Sequence, residues 1–411
     1  MRNLFCKKNE GALTFNCSDE YLNEGFKWAK NLALSYANKN DPVGLWCESA
    51  LPGRNAFCMR DVSHQVNGAF ALGLSAYSKN MLMRFAQSIA ESRKFCCFWE
   101  INRLYRPAPV DYKSDNDFWY NLPANFDVLD ACYRMYLLTG DRDFIFSEDF
   151  NRFYDLTVTK YIEAWDKDGD GIPERAELNT HMGIPSYEEA EARDAKIIID
   201  LICAQARGFR SYAEIQKIKG DLSAYETYMK KYEHLISVIN DEWYSAQKGT
   251  YKYAELFDGS DLYLSFPREY PGYFGVINSK DRLEKYLDDL NAYGEKGILV
   301  EVMSHLPEIF FKNGDKQRGV YWLKKLVDPK LKRRKYPEVS YSAAGNYIFG
   351  IMGLKANFST KTVSCAKELP EGIDFAEAKN IPLFGGSIDI KISGSNAEII
   401  NNTGYEINTN L

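Results

Sequence analysis

The sequence predicts an all-α fold, an (α/α)6 toroid of six helical hairpins with a small C-terminal β appendage. Three observations carry this. From about residue 20 to 355, apolar residues recur with the 3.6-residue period of helices. The connections between helical runs alternate between tight turns and long loops. Beyond residue 356 the apolar period drops to two. The corresponding division is a lead-in segment over 1–19, a helical body over 20–355 and a β-rich appendage over 356–411.

In chain order, residues 20–39 place Tyr21, Phe26, Ala29, Ala33 and Tyr36 roughly on one face. Residues 122–138 repeat Leu122, Phe126, Leu129, Tyr133 and Tyr136/Leu137, and 187–219 form a long run carrying Ile197, Ile198, Leu201 and Ile202. Residues 338–354 repeat Val339, Ala343, Tyr347, Ile351 and Leu354. In the appendage, Ser387 to Ile392 alternates strictly. Ala397 to Ile400 then runs into the turn Asn401-Asn402-Thr403-Gly404.

The turns decide the topology. Gly140-Asp141, Gly220-Asp221 and Gly314-Asp315 each offer a Gly to end one helix left-handed and an Asp to cap the next. Ser78-Lys79-Asn80 and Asn278 to Asp281 read as equally short turns. Long loops fall near 40–60, 95–121, 166–187, 244–270, 291–301 and 328–338. Helices joined by tight turns run antiparallel, so tight turns gather at one end of the array and long loops at the other. Long loops in a compact domain are usually functional. Chemistry is therefore expected on the loop-rich face.

Composition narrows the function classes. Of 411 residues, 45% are hydrophobic, enough for a large core. The formal charge is −6, and the one basic run spans Lys330 to Lys335, which argues against a nucleic-acid partner. No window approaches ~18 continuous apolar residues, so no membrane span is expected. The nine Cys are odd in number, irregularly spaced and free of CxxC pairs. A reduced, cytoplasmic protein is the simplest account. Aromatics reach 14%, which suits a cleft built for flat rings with polar edges, though aromatics also fill cores.

The most concentrated stretch is Trp165-Asp166-Lys167-Asp168-Gly169-Asp170-Gly171-Ile172-Pro173-Glu174. Carboxylates crowded this closely need a cation, hydrogen-bond donors or solvent to offset their repulsion. Counted from Asp166, ligand-type residues fall at the calcium-loop places occupied by Asp166, Asp168, Asp170 and Glu177. Pro173 sits where such loops prefer an aliphatic residue with a free N–H. Alternatively, Glu174 is a catalytic carboxylate at the loop tip, or the segment is a solvated acidic turn. No cofactor other than this structural calcium is indicated.

The other loops add candidates. The first holds Trp46, Glu48 and Arg54, then Met59-Arg60-Asp61 and His64. Asp61 suits a helix N-terminus, and with Arg60 it forms a charge pair fitted to two sugar hydroxyls. The second presents Asp111, Trp119, Tyr120 and Asn121 as a stacking platform with hydrogen-bonding groups. The third continues to His181 and Glu188-Glu189. The fourth carries Glu255, Asp258, Asp261 and Arg268-Glu269-Tyr270, and the fifth ends at Glu301 near His305. The sixth delivers Glu338 behind Pro337, a position that either serves a helix start or adds a second carboxylate to the same cavity.

Cleaving a glycosidic bond takes two carboxyls, one protonated and one ionised. Over residues 20–355 the chain resembles the six-hairpin (α/α)6-barrel glycoside hydrolases, the glucoamylase-like and α-L-rhamnosidase-like group. Met59-Arg60-Asp61 resembles their Trp-x-Arg-Asp element, with Met59 (or Cys58) in place of Trp. Asp170-Gly171-Ile172-Pro173-Glu174 resembles Asp-Gly-Leu-x-Glu, with Pro173 before the acid. Glu338 falls where the group places its base. The resemblance implies an inverting, exo-acting hydrolase with Glu174 as general acid and Glu338 as general base. Glu177, Glu188 and Asp61 remain alternative donors. Arg60, Asp61, His64, Glu48, Asp111, Trp119, Tyr120, Asn121 and Glu269 would hold a carbohydrate substrate. Two rivals stand: an epimerase or polysaccharide lyase using His64, His181 or His305, and a non-catalytic sugar-binding protein.

Overall fold

A computed structural model describes residues 9–37, 56–178, 180–187 and 194–409. Trp46, Glu48, Arg54, Glu188 and Glu189 lie outside the described residues. The helices are α1 (Glu20–Tyr36), α2 (Met59–Ala71), α3 (Ser75–Ser88), α4 (Ala124–Thr139), α5 (Asp143–Phe146), α6 (Glu148–Leu156) and α7 (Ile162–Trp165). They continue as α8 (Ile199–Lys219), α9 (Leu222–Ser237), α10 (Tyr270–Phe274), α11 (Lys280–Gly294), α12 (Val300–Lys312), α13 (Lys316–Leu326) and α14 (Pro337–Gly345). A π-helical turn, Thr157–Tyr161, joins α6 to α7, and another, Asn346–Ile351, extends α14.

Helix packing closes on itself. α2 packs on α4, α4 on α8, α8 on α10, α10 on α12 and α12 on α14, and α14 returns to α2. α1, α3, α9 and α13 lie outside this circuit, each against an inner helix. The periodicity of the last inner helix is as expected: Val339, Ala343, Tyr347, Ile351 and Leu354 are all buried. Gly220 and Gly314 adopt φ of +89° and +86°, and Asp221 and Asp315 cap α9 and α13. After Gly140, Asp141 accepts the N–H of Asp143, the first residue of the short helix α5, and Ser147 caps α6.

Several elements differ from the sequence reading. Ser78-Lys79-Asn80 lies inside α3, and the turn falls at Leu72-Gly73-Leu74, where Gly73 takes φ +78°. Polar side chains tolerate a helix surface, whereas a left-handed turn favours Gly. In α1, Leu22 joins the buried face and Tyr21 is exposed. Ile197 and Ile198 belong to a strand, Ala195–Ile198, and the helix starts at Ile199. β-Branched residues suit both states, so periodicity alone could not separate them.

The chain is not all-α. Short ribbons stitch neighbouring long loops together: Ala56–Cys58 pairs with Glu100–Asn102, Tyr120–Asn121 with Met182–Ile184, and Ala195–Ile198 with Ala254–Leu256. The C-terminal sheet has four strands in the order Thr14–Cys17, Phe375–Leu383, Gly386–Ser393, Asn396–Asn402, so the lead-in segment supplies one edge. It is tied to the tight-turn end of the helices, where Phe384 N–H donates to Leu138 O; the separate hairpin of Lys355–Asn357 with Thr362–Ser364 is held there too, Phe358 N–H donating to Leu137 O. Seven described Cys are buried and free. No helix among the described residues is long and apolar enough to cross a membrane.

One close approach holds the circuit shut. A Cβ built on Gly68 of α2 would lie 1.9 Å from the carbonyl oxygen of Tyr341 in α14. Neither backbone can yield without moving its helix. Gly68→Ala is expected to cost at least about 3 kcal/mol, read as a lower midpoint in urea unfolding with an unchanged slope.

Candidate active site

A cavity of about 930 Å³ opens between α2, α12 and α14. Its wall takes Arg60, Asp61 and His64 from α2, Tyr187 from a loop, Glu269 and Tyr270 from the start of α10, Glu301 and His305 from α12, and Glu338 from α14. Eight residues singled out in the sequence therefore share one wall: Arg60, Asp61, His64, Glu269, Tyr270, Glu301, His305 and Glu338. They come from segments distant in sequence because the inner helices all begin at this end.

Local structure explains each placement. The strand Ala56–Cys58 feeds directly into α2, and Met59 N–H donates to Trp99 O, which fixes the first turn carrying Arg60 and Asp61. The Arg60 guanidinium lies 3.7 Å from Asp61, donates to Tyr187 O at 3.3 Å and sits 5.9 Å from the Trp99 ring centroid. Asp61 is 6% exposed. Pro337 sets the first turn of α14, and Glu338 follows within that turn.

Glu338 lies deep in the molecule, and its remaining accessible surface faces the cavity. Burial, followed by repulsion from Asp61, pushes its carboxyl from 4.5 up to about 8; backbone hydrogen bonding and Arg60 oppose this, and Glu301 adds to it. A helix N-terminus favours a carboxylate by ~0.3–1 kcal/mol, too little to offset burial beside a second acid. Glu269, 2% exposed, has Arg268 at 3.9 Å. Glu301 pairs with Arg333 at 2.9 Å.

Below the carboxyls the wall is aromatic. Tyr187 and Tyr270 have ring centroids 4.2 Å apart, and the Tyr187 hydroxyl donates to Asp127 at 2.6 Å. The rings of His64 and His305 are 5.3 Å apart, and His64 lies 3.6 Å from Asp127. Burial, followed by His64 and Arg60, holds His305 well below its ordinary 6.5, so it is neutral. Tyr187, Glu308 and Lys312 were missed by the sequence reading, since each sits in an ordinary-looking run with no motif around it.

Other candidates fall elsewhere. Glu174 is absent from the cavity wall, and Lys196 holds its carboxylate at 2.6 Å. Burial raises its pKa and Lys196 opposes the rise. The same ammonium binds Asp168 at 2.7 Å. Glu174 thus ties its loop to the strand Ala195–Ile198, which corrects its assignment as an acid poised over the cavity. Tyr120 and Asn121 are fully buried, the former bonded to Asn125, the latter donating to Ser186 O at 2.7 Å. Trp119 stacks on His181 at 6.2 Å and bonds Asn121, while Asp111 accepts the Trp119 N–H through its backbone. None of these four lines the cavity. Ribbon pairing buried the platform that the sequence left exposed.

The acidic loop fits a calcium site only in part. Asp166, Asp168 and Asp170 converge to within 4.8 Å, but Glu177 is exposed and outside this group. Lys196 already neutralises one side, while burial and the neighbouring acids raise Asp170 to about 6. The twelve-residue ligand set is not assembled among the described residues.

The fold is similar to that of several glycosidases of known structure. The structure superposes on a GH78-family rhamnosidase of Bacillus sp. GL1 with a TM-score of 0.70 and 15% identity, covering 93% of this chain and 40% of that one. A putative kojibiose phosphorylase from the human microbiome gives 0.59 at 12% identity, over 94% and 59%. A glycosidase solved in complex with glucose gives 0.56 at 10% identity, over 80% and 97%. The chain thus spans less than half the length of the Bacillus rhamnosidase. No protein-family model matches the sequence, and no curated protein matches it.

Proposed function

We propose that the protein is an inverting, exo-acting glycoside hydrolase whose (α/α)6 barrel presents one sugar-binding cavity. The observation that carries this reading is the convergence of Asp61, Glu269 and Glu338, with Arg60, on a single cavity wall. Glu338 is the general base that activates water. Arg60 and Asp61 hold the terminal sugar. Glu269, buried on the same wall, is the proton donor in place of Glu174. Inversion requires the two carboxyls to stand ~6.5–9.5 Å apart, leaving room for the water. A panel of aryl glycosides and oligosaccharides, with the product anomer followed by NMR, tests the reading. Cleavage giving the inverted anomer is expected, and a panel left intact would reject it.

A base must be ionised, and Glu338 at about 8 holds its proton in the free protein at neutral pH. A sugar hydroxyl donated to Asp61 would disperse the charge that repels Glu338, so sugar binding should favour release of that proton. Accordingly, kcat/KM should rise with pH up to about 8, while the matching limb of kcat lies lower. A kcat/KM that instead falls through this pH would make Glu338 the donor.

His64 and neutral His305, side by side in the cavity, favour a second reading as an epimerase or lyase. The Nδ1 of His305 has no hydrogen-bond partner among the described residues. An unsaturated product absorbing in the ultraviolet, or stereochemical exchange without bond cleavage, would select it.

A further inference from the structure

The cavity does not stop beneath the carboxyls. It follows α12 from Glu301 to Lys312, eleven residues or roughly 16 Å, and continues past α14 to Lys355 and Lys367 near the tight-turn end. Its charge reverses on the way. Asp61, Glu269, Glu301 and Glu338 mark one end, where Arg60 is the cation on the wall itself and Arg268 and Arg333 stand behind Glu269 and Glu301. Lys312, Lys316, Lys355 and Lys367 mark the other, with Glu308 the lone acid.

Glu308 is already matched by Lys312 at 3.1 Å. Lys312 also donates to Tyr273 O at 2.7 Å, and it sits deep in the molecule with 42% of its side-chain surface accessible, as expected of a group facing an internal space. Helix C-termini attract lysines without any ligand, which accounts for Lys312. It does not account for the others. Lys316 begins α13, at the positive end of its dipole, and Lys355 and Lys367 lie beyond the last helix. Among the described residues Lys316 donates to Glu368 O, and none of the three ammonium groups has a carboxylate within 4.0 Å.

We propose that this basic end of the cavity binds a phosphate-class oxyanion, free or as an ester, apart from the carboxyl end. Half-buried Lys316 and the exposed Lys355 and Lys367, lining the same end of the cavity without a carboxylate partner among the described residues, supply both charge and donors for tetrahedral oxygens.

The test is calorimetric titration of inorganic phosphate, in buffer low in chloride, into the protein and its Lys355→Glu/Lys367→Glu variant. Saturable binding is expected, weakened about tenfold or more by the two charge reversals. Glu338→Gln should bind phosphate as the parent does, which separates this site from the proposed chemistry. An unchanged melting curve for the double variant checks its fold. Tighter binding of a hexose phosphate than of inorganic phosphate would indicate an ester as the ligand, and equal or weaker binding the free ion. Absence of saturable binding, or binding that the double variant retains in full, overturns the proposal.

Discussion

Glu338→Gln is expected to lower kcat on any cleaved glycoside by about 10²–10⁴-fold, the usual worth of a positioned acid or base. Gln fills the same space and cannot accept the proton, so KM should move little. The same variant should be more stable than the parent. The folded protein keeps a proton on Glu338 up to about 8, whereas the unfolded chain releases it near 4.5. Between those pH values the unfolded state binds fewer protons, so the parent loses stability as pH rises. Gln does not titrate, and the stability gap should widen across that window and level off above it. Urea unfolding at several pH values checks this. Undiminished turnover removes Glu338 from the mechanism, and a less stable variant contradicts the account of its environment.

Glu269→Gln should divide substrates by leaving group. On an unactivated glycoside, loss of the proton donor should cost about 10²–10⁴-fold in kcat/KM. A dinitrophenyl glycoside departs without protonation, and there the loss should be less than about tenfold. Equal losses on both would make Glu269 a sugar-binding residue, with its buried contact to Arg268 as its main role. Glu174→Gln supplies the contrast. Since Lys196 holds that carboxylate away from the cavity wall, its effect should not depend on leaving group.

The helical architecture was legible because its signals are local. Apolar spacing marks a buried face, and a Gly-Asp pair ends one helix and caps the next. The alternation of short and long connections then forced the acids toward one end. Arg60, Asp61 and Glu338 were legible for the same reason, since each sits in the first turn of an inner helix. Glu174 was misplaced because the sequence gives no sign of Lys196 reaching across from the strand Ala195–Ile198. Tyr120 and Asn121 failed likewise. Their ribbon with Met182–Ile184 is a pairing between distant segments, and it turned an apparent platform into core. The β ribbons escaped notice because strands of two to four residues leave too little pattern to read.

The strand Thr14–Cys17 pairs with Phe375–Leu383, and α1 lies against α14. Segments more than 300 residues apart are thus neighbours. During synthesis the first hairpins emerge with one flank bare, and nothing can cover it until the last inner helix has left the ribosome. Joining segments more than 300 residues apart is entropically slow, and the waiting apolar flank is the surface most prone to sticking to another nascent copy.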